Sequence, residues 1–234
     1  MSEQVVGIFE NITPKYDRLN RILSLGRDQS WRRRAVERLV DGFNGAPIDR
    51  LLDGCTGTGD LALVLAETAE VGEIVGVDAS KNMLAQARKK TADAGHGEAV
   101  RFLEEDMFDL PFPDDYFDAL TISFGFRNLR PYERALEEML RVLRPGGRIV
   151  ILEFAPPGGG VKGFLYRLYL STIPGIGRLV AGDRSAYGYL ESSIRAFLSP
   201  EELLDLLYRH GVYGTLKEDL FFEGVYLYSG WNAG

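Results

Sequence analysis

Ten consecutive residues, Leu51-Leu52-Asp53-Gly54-Cys55-Thr56-Gly57-Thr58-Gly59-Asp60, carry the densest chemistry in this sequence. A short apolar run ends in a carboxylate, glycines turn the chain, and a helical pattern begins at once. Glycine tolerates the backbone angles of such a turn and puts no Cβ between main chain and ligand. A nucleoside can therefore lie against bare backbone at the carboxyl edge of a strand. Val75-Gly76-Val77-Asp78 ends the next apolar run in a second acid, at the separation expected of a ribose-binding carboxylate. A third run ends near Asp106 and Met107.

The charges in this stretch distinguish between nucleosides. Gly57-Thr58-Gly59-Asp60-Leu61-Ala62 satisfies the dinucleotide fingerprint, with Asp78 at the ribose position. A dinucleotide sets its pyrophosphate at the helix amino terminus, where N–H groups and the helix dipole favour negative charge. Asp60 places a carboxylate in that same turn, and Asp53 adds another just before it. Such acids suit a cationic ligand. S-adenosylmethionine carries an ammonium and a sulfonium and no phosphate. On this reading Asp53, Gly57, Gly59 and Asp78 hold the cofactor, with Asp78 accepting the ribose hydroxyls. Asp106 accepts the adenine amino group, and the Met107 amide meets the ring. Taken singly, Asp60 is equally a helix cap and Asp106 equally an Asx turn.

The elements that must position these residues follow from periodicity. Residues 1–45 carry apolar positions at helical spacing: Val6, Phe9 and Ile12, then Leu19, Ile22 and Leu23, then Ala35, Val36 and Leu39. From residue 48 strands and helices alternate, with strands at 48–53, 73–78, 100–103, 117–123 and 148–154. Ser80 is placed to cap the helix that runs to about residue 94. Leu136, Met139, Leu140 and Leu143 share one face of a helix over 132–143, and Pro145-Gly146-Gly147 turns into the fifth strand. After a helix over 200–210, segments 212–213 and 224–231 suit a hairpin added to the sheet edge. The expected fold is a single α/β, Rossmann-like domain over 1–234. Its seven-stranded, mostly parallel sheet has helices on both faces and helical cover from 1–45 and 155–198.

Composition sets outer bounds. With 234 residues and 45% hydrophobic content, the chain suits one such domain. A net charge of −7 argues against a phosphate-tracking nucleic-acid binder. Arg32-Arg33-Arg34 shares a helical pattern with Glu37 and reads as a solvated face rather than a phosphate or headgroup patch. The single cysteine, Cys55, excludes an internal disulfide and fits a reducing compartment. Neither histidine, His96 or His210, lies near a motif, so Cys55 reads as a packing residue rather than a nucleophile, and no metal site is expected. The amino terminus has no apolar signal region. The most apolar candidate for a spanning segment, 163–181, is broken by Arg167, Pro174 and Arg178. A cytoplasmic protein, at most resting on the inner face of the membrane, is expected.

Read together, these motifs resemble the quinone-biosynthesis C-methyltransferases, class I enzymes that methylate demethylmenaquinol or its ubiquinol-pathway counterpart. The resemblance runs from Phe9-Glu10-Asn11-Ile12 and Lys15-Tyr16-Asp17-Arg18-Leu19-Asn20 through Trp31-Arg32, the glycine turn and Phe124-Gly125-Phe126-Arg127-Asn128. It continues through Arg141-Val142-Leu143-Arg144-Pro145-Gly146-Gly147 and closes with Ala181-Gly182-Asp183, Ala186-Tyr187 and Tyr189-Leu190. The family pattern implies cofactor contacts at Thr58, Asp78, Asp106, Met107 and Ser123. It departs at Asp28, near which the family often has histidine, in a segment expected to cover the acceptor.

The resemblance implies S-adenosylmethionine as donor and a prenylated quinol as acceptor, with a membrane surface and a second copy of the chain as further partners. A quinol carbon becomes nucleophilic as its neighbouring hydroxyl loses a proton. With no histidine near the motifs, Arg127 and Asn128 become the catalytic candidates. Arginine stays protonated, so its role is electrostatic, holding a phenolate or orienting a water. The competing reading makes Arg127 a structural ion pair with Asp118 or Glu153. Tyr16, Asp183 and Tyr187 are candidates for the acceptor side. Phe164, Leu165, Tyr166, Leu168, Tyr169, Leu170 and Ile173 form an apolar channel, a membrane-facing surface or plain core. Rivals to methyl transfer are a nicotinamide-dependent oxidoreductase, disfavoured by Asp60 and by the lack of a Tyr-x-x-x-Lys dyad, and a non-catalytic cofactor-binding protein.

Overall fold

The computed structural model describes residues 6, 7, 10, 13, 16–181 and 185–234, and for residues 19, 173–181 and 185–187 the backbone alone. Two helices, α1 (Tyr16–Leu23) and α2 (Asp28–Phe43), precede the sheet. Then follow β1 (Ile48–Gly54), α3 (Asp60–Thr68), β2 (Val71–Asp78), α4 (Lys81–Asp93), β3 (Val100–Glu104) and β4 (Phe117–Ser123). A 3₁₀ turn at Phe126–Asn128 leads to α5 (Tyr132–Val142) and β5 (Leu143–Phe154). The rest is α6 (Gly160–Ala181), α7 (Ser185–Arg195), α8 (Pro200–Arg209), β6 (Val212–Phe221) and β7 (Val225–Asn232).

The strands form one seven-stranded sheet in the order β3-β2-β1-β4-β5-β7-β6. All neighbours from β3 to β5 are parallel, and β7 runs antiparallel between β5 and β6. Side chains alternate across the sheet and fill two cores. Leu51, Ile74 and Ala119 face α2, α3 and α4, whereas Leu52, Val75 and Leu120 face α5 and α8. Burial on both faces explains why the central strands read as continuous apolar runs. The chain winds outward in both directions from the β1/β4 junction, so the crevice beyond the carboxyl ends of these strands is where a ligand belongs.

Local signals set the helix boundaries. Ser80 Oγ accepts from Met83 N at 3.3 Å and caps α4, as its position predicts. Ser199 and Glu202 form a reciprocal capping box at the start of α8. Two boundaries differ from the sequence reading. Pro145-Gly146-Gly147 lies within an irregular first part of β5 rather than before it, because Leu143 already pairs with Phe117 ahead of a register shift. β6 extends to Phe221, well past residue 213. Its Lys217-Glu218-Asp219 read as loop, yet an edge strand tolerates charges on its open side.

Candidate active site

The tips of β1 and β4 bend in the same unusual way. Cys55 (φ 49°) and Phe124 (φ 57°), each just past its strand, adopt left-handed backbone that costs a non-glycine residue about 1 kcal/mol or more. Gly57 and Gly59 take φ values of 57° and 77°, which is what the glycine turn requires of them. The two tips touch: a Cβ on Gly125 would lie 2.4 Å from Cys55 Cβ. Strain on both sides of one junction holds backbone open to the crevice between them.

Two buried acids face this junction. Asp53 is 1% exposed, and its carboxylate accepts from Thr56 Oγ1 at 2.6 Å and Thr121 Oγ1 at 3.0 Å. Burial outweighs those bonds and raises its pKa to about 6. Asp78 accepts from Gly57 N and Ser80 N, both at 2.9 Å, which fixes it against the glycine turn. Its pKa is also raised by burial, against the pull of those amides. Burial, and then the charges of Asp78 and Asp53, hold the Cys55 thiol protonated, consistent with a packing residue rather than a nucleophile.

Around the junction lies a cleft of about 410 Å³, bounded by Tyr16, Asp78, Ser80, Met83, Phe124 and Asn128. It adjoins a second compartment of about 300 Å³ reached past Arg32, Asp53, Thr58 and Asp60. Tyr16, Cys55, Gly57 and Ser123 border both. Ser123 Oγ and Arg32 Nε are buried without a hydrogen-bond partner, and each belongs to a residue lining this space. Buried polar atoms are normally satisfied, so these two point to a bound ligand. The residues fit S-adenosylmethionine: open glycine backbone, a ribose-type acid at Asp78 and a second acid for the cationic end.

Two charge assignments from the sequence need correction. Asp60 does not offer its charge to a ligand, because Lys90 Nζ sits 2.6 Å from Oδ1 and Arg32 Nη2 lies 3.6 Å from Oδ2. Burial alone would raise its pKa; Arg32 and Lys90 pull it below the usual carboxylate value. Arg32 is not on a solvated face but is 4% exposed, with Nη1 3.3 Å from Asp28 Oδ2. The helical pattern alone does not tell which side of α2 turns inward beside Trp31 and Ala35. Asp28 is thereby a buried partner of Arg32. Lys90 also bonds Asp17 Oδ2 at 2.6 Å, and Thr58 Oγ1 donates to Asp17 Oδ1 at 2.5 Å, strapping α1 over the glycine turn.

At the acceptor side Arg127 forms the ion pair that the competing reading expected, with Glu153 and not with Asp118. Nη1 lies 2.9 Å from Glu153 Oε1, both side chains are buried, and Nη1 also donates to the Phe124 carbonyl. Asp118 instead pairs with Arg144 at 2.9 Å. Asn128 lines the cleft and accepts from the Tyr189 hydroxyl through Oδ1 at 2.8 Å, which leaves Nδ2 as its side-chain donor. The pair thus splits, with Asn128 at the cleft wall and Arg127 behind it.

The structure brings Tyr16, Asp53, Gly57, Thr58, Asp78, Ser123 and Asn128 together around the cleft. Gly59 packs instead against α4, where a Cβ would come 2.9 Å from that of Ala87. Asp106 is exposed past β3 and accepts from Phe108 N at 3.2 Å, an Asx turn, while the Met107 side chain is buried beneath Gly54. Asp183 and the side chain of Tyr187 lie outside the described residues. The sequence reading missed Arg32, Met83 and Tyr189 as site residues. Tyr189 had a signal, its Tyr-x-Tyr-Leu motif; Arg32 and Met83 had only helical position.

Among solved structures, the fold is similar to a SAM-dependent methyltransferase from Thermotoga maritima (TM-score 0.66, 23% identity, covering 96% of this chain and 98% of that one). It is similar as well to the [4+2]-cyclase SpnF (TM-score 0.63, 22% identity, 86% and 81%), so the architecture alone does not fix the reaction. Sequence relatives are more specific. The chain is 52% identical over 219 residues to a demethylmenaquinone methyltransferase of Thermus thermophilus, covering 93% of this chain and 96% of that protein. It is 41% identical over 230 residues to a ubiquinone/menaquinone biosynthesis C-methyltransferase of Geobacter sulfurreducens, covering 97% and 88%. The profile of the ubiE/COQ5 methyltransferase family matches residues 1–228. With a cleft fitted to a sulfonium cofactor at the switch point and a family match along nearly its whole length, this chain belongs to the ubiE/COQ5 methyltransferase family.

Proposed function

We propose that the chain methylates a ring carbon of a prenylated quinol, converting demethylmenaquinol to menaquinol with S-adenosylmethionine as donor. The observation that carries the acceptor is the 52% identity, over 96% of its length, to a protein named demethylmenaquinone methyltransferase. Relatives named for both quinones keep a benzoquinol acceptor as the second reading.

The donor reading is supported by Asp53, Asp78 and the orphaned Ser123 Oγ. S-adenosylmethionine supplies, when bound, a sulfonium methyl already activated for in-line displacement. The protein's task is then to position the reactants and exclude water. Each Asp78 oxygen holds one backbone N–H and keeps lone pairs for ribose hydroxyls. Arg127, fixed by Glu153, sets a positive field at the acceptor side and stabilises the quinol oxygen as its proton leaves. Asn128, its Oδ1 held by Tyr189, turns Nδ2 toward that oxygen or toward a water that takes the proton.

The prenyl tail is assigned to α6. Gly163, Tyr166 and Leu170 of this helix are buried, while Val161, Phe164, Leu165 and Leu168 form an exposed apolar stripe at helical spacing. No helix among the described residues is long and apolar enough to cross a membrane. A stripe of this kind suits a helix lying on a lipid surface, from which the tail is drawn. Purified protein given labelled donor and each acceptor in reduced form should label demethylmenaquinol faster. Preference for the benzoquinol would move the assignment to the second reading, and label on neither would refute both. Flotation with liposomes tests the lipid contact; absence of binding with and without acceptor removes it.

A further inference from the structure

The second compartment of the cleft holds a cation that the reaction scheme has not used. Arg32 projects from α2 into a space whose other polar walls include Asp53, Thr58 and Asp60. Its two terminal nitrogens reach Asp28 at 3.3 Å and Asp60 at 3.6 Å, and its guanidinium carbon sits 5.5 Å from the centroid of the Phe124 ring. The ring face and the helix leave the guanidinium little freedom to turn. Nε is the remaining guanidinium nitrogen, and it is buried with no partner.

A buried arginine N–H without an acceptor carries a desolvation penalty that folding alone gives no reason to keep. The Asp28 and Asp60 contacts explain why Arg32 is charged and inward. They do not explain why Nε, on a residue that lines the cleft, is left without an acceptor. Asp60 has its closer cation in Lys90, at 2.6 Å, so the Arg32–Asp60 contact is the long one of the set. Asp53 and Asp60 already give the compartment its negative charge, so the acceptor that Nε lacks is one that a ligand would bring. An anionic group entering beside Asp53 would be repelled by it unless a cation received it.

The donor assigned above has a group of this kind. Its amino-acid end is zwitterionic, an α-carboxylate one carbon from an α-ammonium, and it needs both signs of charge within one small space. We propose that Arg32 is the residue that recognises and positions the α-carboxylate of the donor, through Nε, while Asp53 supplies the negative field for the α-ammonium. This rests on the S-adenosylmethionine reading. It makes Arg32 a specificity residue that separates amino-acid nucleosides from nucleosides lacking the carboxylate. It also gives the ion pairs with Asp28 and Asp60 a use, because they aim the guanidinium and fix its orientation before ligand arrives.

Binding measured by calorimetry on the full chain tests this without turnover. Two ligands serve as probes: S-adenosylmethionine and its decarboxylated form, which keeps the ammonium, sulfonium and adenosine. The wild type should prefer the carboxylated ligand, and Arg32→Gln should erase most of that preference, by about 10- to 100-fold for one charged hydrogen bond. Affinity for the decarboxylated ligand should stay within about twofold of wild type, since no contact to it is lost. Equal losses for both ligands would mean that Arg32 only holds the fold together, and no loss for either would mean that it faces nothing; both outcomes overturn the proposal. If the wild type binds neither ligand, the donor reading itself fails. Should Arg32→Gln not fold, Arg32→Lys carries the same comparison. It keeps the charge but not the Nε geometry, and a preference unchanged from wild type in that variant would also overturn the proposal.

Discussion

Replacing Glu153 by glutamine should be among the most damaging single-atom changes available to this protein. Glu153 is 0% exposed, and both carboxylate oxygens are occupied by donors. Oε1 receives Arg127 Nη1 at 2.9 Å and Phe154 N at 2.9 Å, and Oε2 receives Arg127 N at 3.1 Å. An amide in place of the carboxylate must point its NH₂ at a donor whichever way it is turned. It also leaves Arg127, 4% exposed, without its counter-charge. Breaking a buried pair from one side costs about 3–5 kcal/mol. For a chain of this size that lowers the melting temperature by roughly 10 °C. Thermal and urea melts of Glu153→Gln, Arg127→Met and the double variant measure it. The double variant removes both charges, so it should recover at least about 2 kcal/mol relative to the sum of the single losses. Strictly additive losses, or a single loss under about 1 kcal/mol, would refute the ion-pair argument. The same variants separate structure from catalysis at Arg127. If Arg127 acts on the acceptor, the double variant regains stability but not turnover; if the pair is only structural, turnover returns with the fold.

Three further outcomes follow from the junction of β1 and β4. Burial raises Asp53 to about 6, so below that pH its acid form prevails, and a cationic ligand must displace the proton to bind. Donor affinity should therefore rise with pH up to about 6 and level off above it, falling by up to tenfold per unit below; a titration series flat between pH 5 and 7 would show that Asp53 does not meet the cation. The same raised value means that the ligand-free protein loses a little stability as pH climbs from about 4 to 6, where the folded state holds the proton more tightly than the unfolded chain. Gly125→Ala drives a methyl group into Cys55 Cβ at 2.4 Å and should weaken donor binding at least tenfold by calorimetry. Adding Cys55→Gly removes the colliding atom and should restore most of it.

The parts of the molecule that a local pattern encodes were legible in the sequence. The β1–α3–β2 unit, the Ser80 cap and the carboxylates at the ends of β1 and β2 each depend on residues within one or two turns of chain, and periodicity finds them. What it missed depends on distant partners. Glu218 read as loop because its role is to receive Arg34 and Arg38 across the sheet edge, at 2.9 and 2.6 Å, and no short window contains both sides of that contact. Arg32 read as solvated because a run of three arginines looks alike from every side. Only the packing of α2 on α3 shows that the first of them turns inward. Asp60 was correctly seen as an acid at a helix start, but its meaning changed once Lys90, on the next helix, was found to neutralise it.

The antiparallel insertion of β7 fixes an order of events during synthesis. β1 to β5, with every glycine of the cofactor turn and both strained tips, are complete by residue 154, while the strand that covers the edge of β5 is Val225–Asn232, which leaves the ribosome after all of them. Until then β5 presents an unpaired row of N–H and C=O groups beside Ile149 and Ile151, an open template for another chain. Asn232 acts as the clasp: its Nδ2 donates to the carbonyl of Leu143 at 2.5 Å and of Leu140 at 3.2 Å, tying the end of β7 to the point where α5 becomes β5. A nascent or clipped chain can therefore carry the whole glycine turn and still lack a closed sheet, so the integrity of residues 225–232 governs whether the protein accumulates folded or sticks to its neighbours.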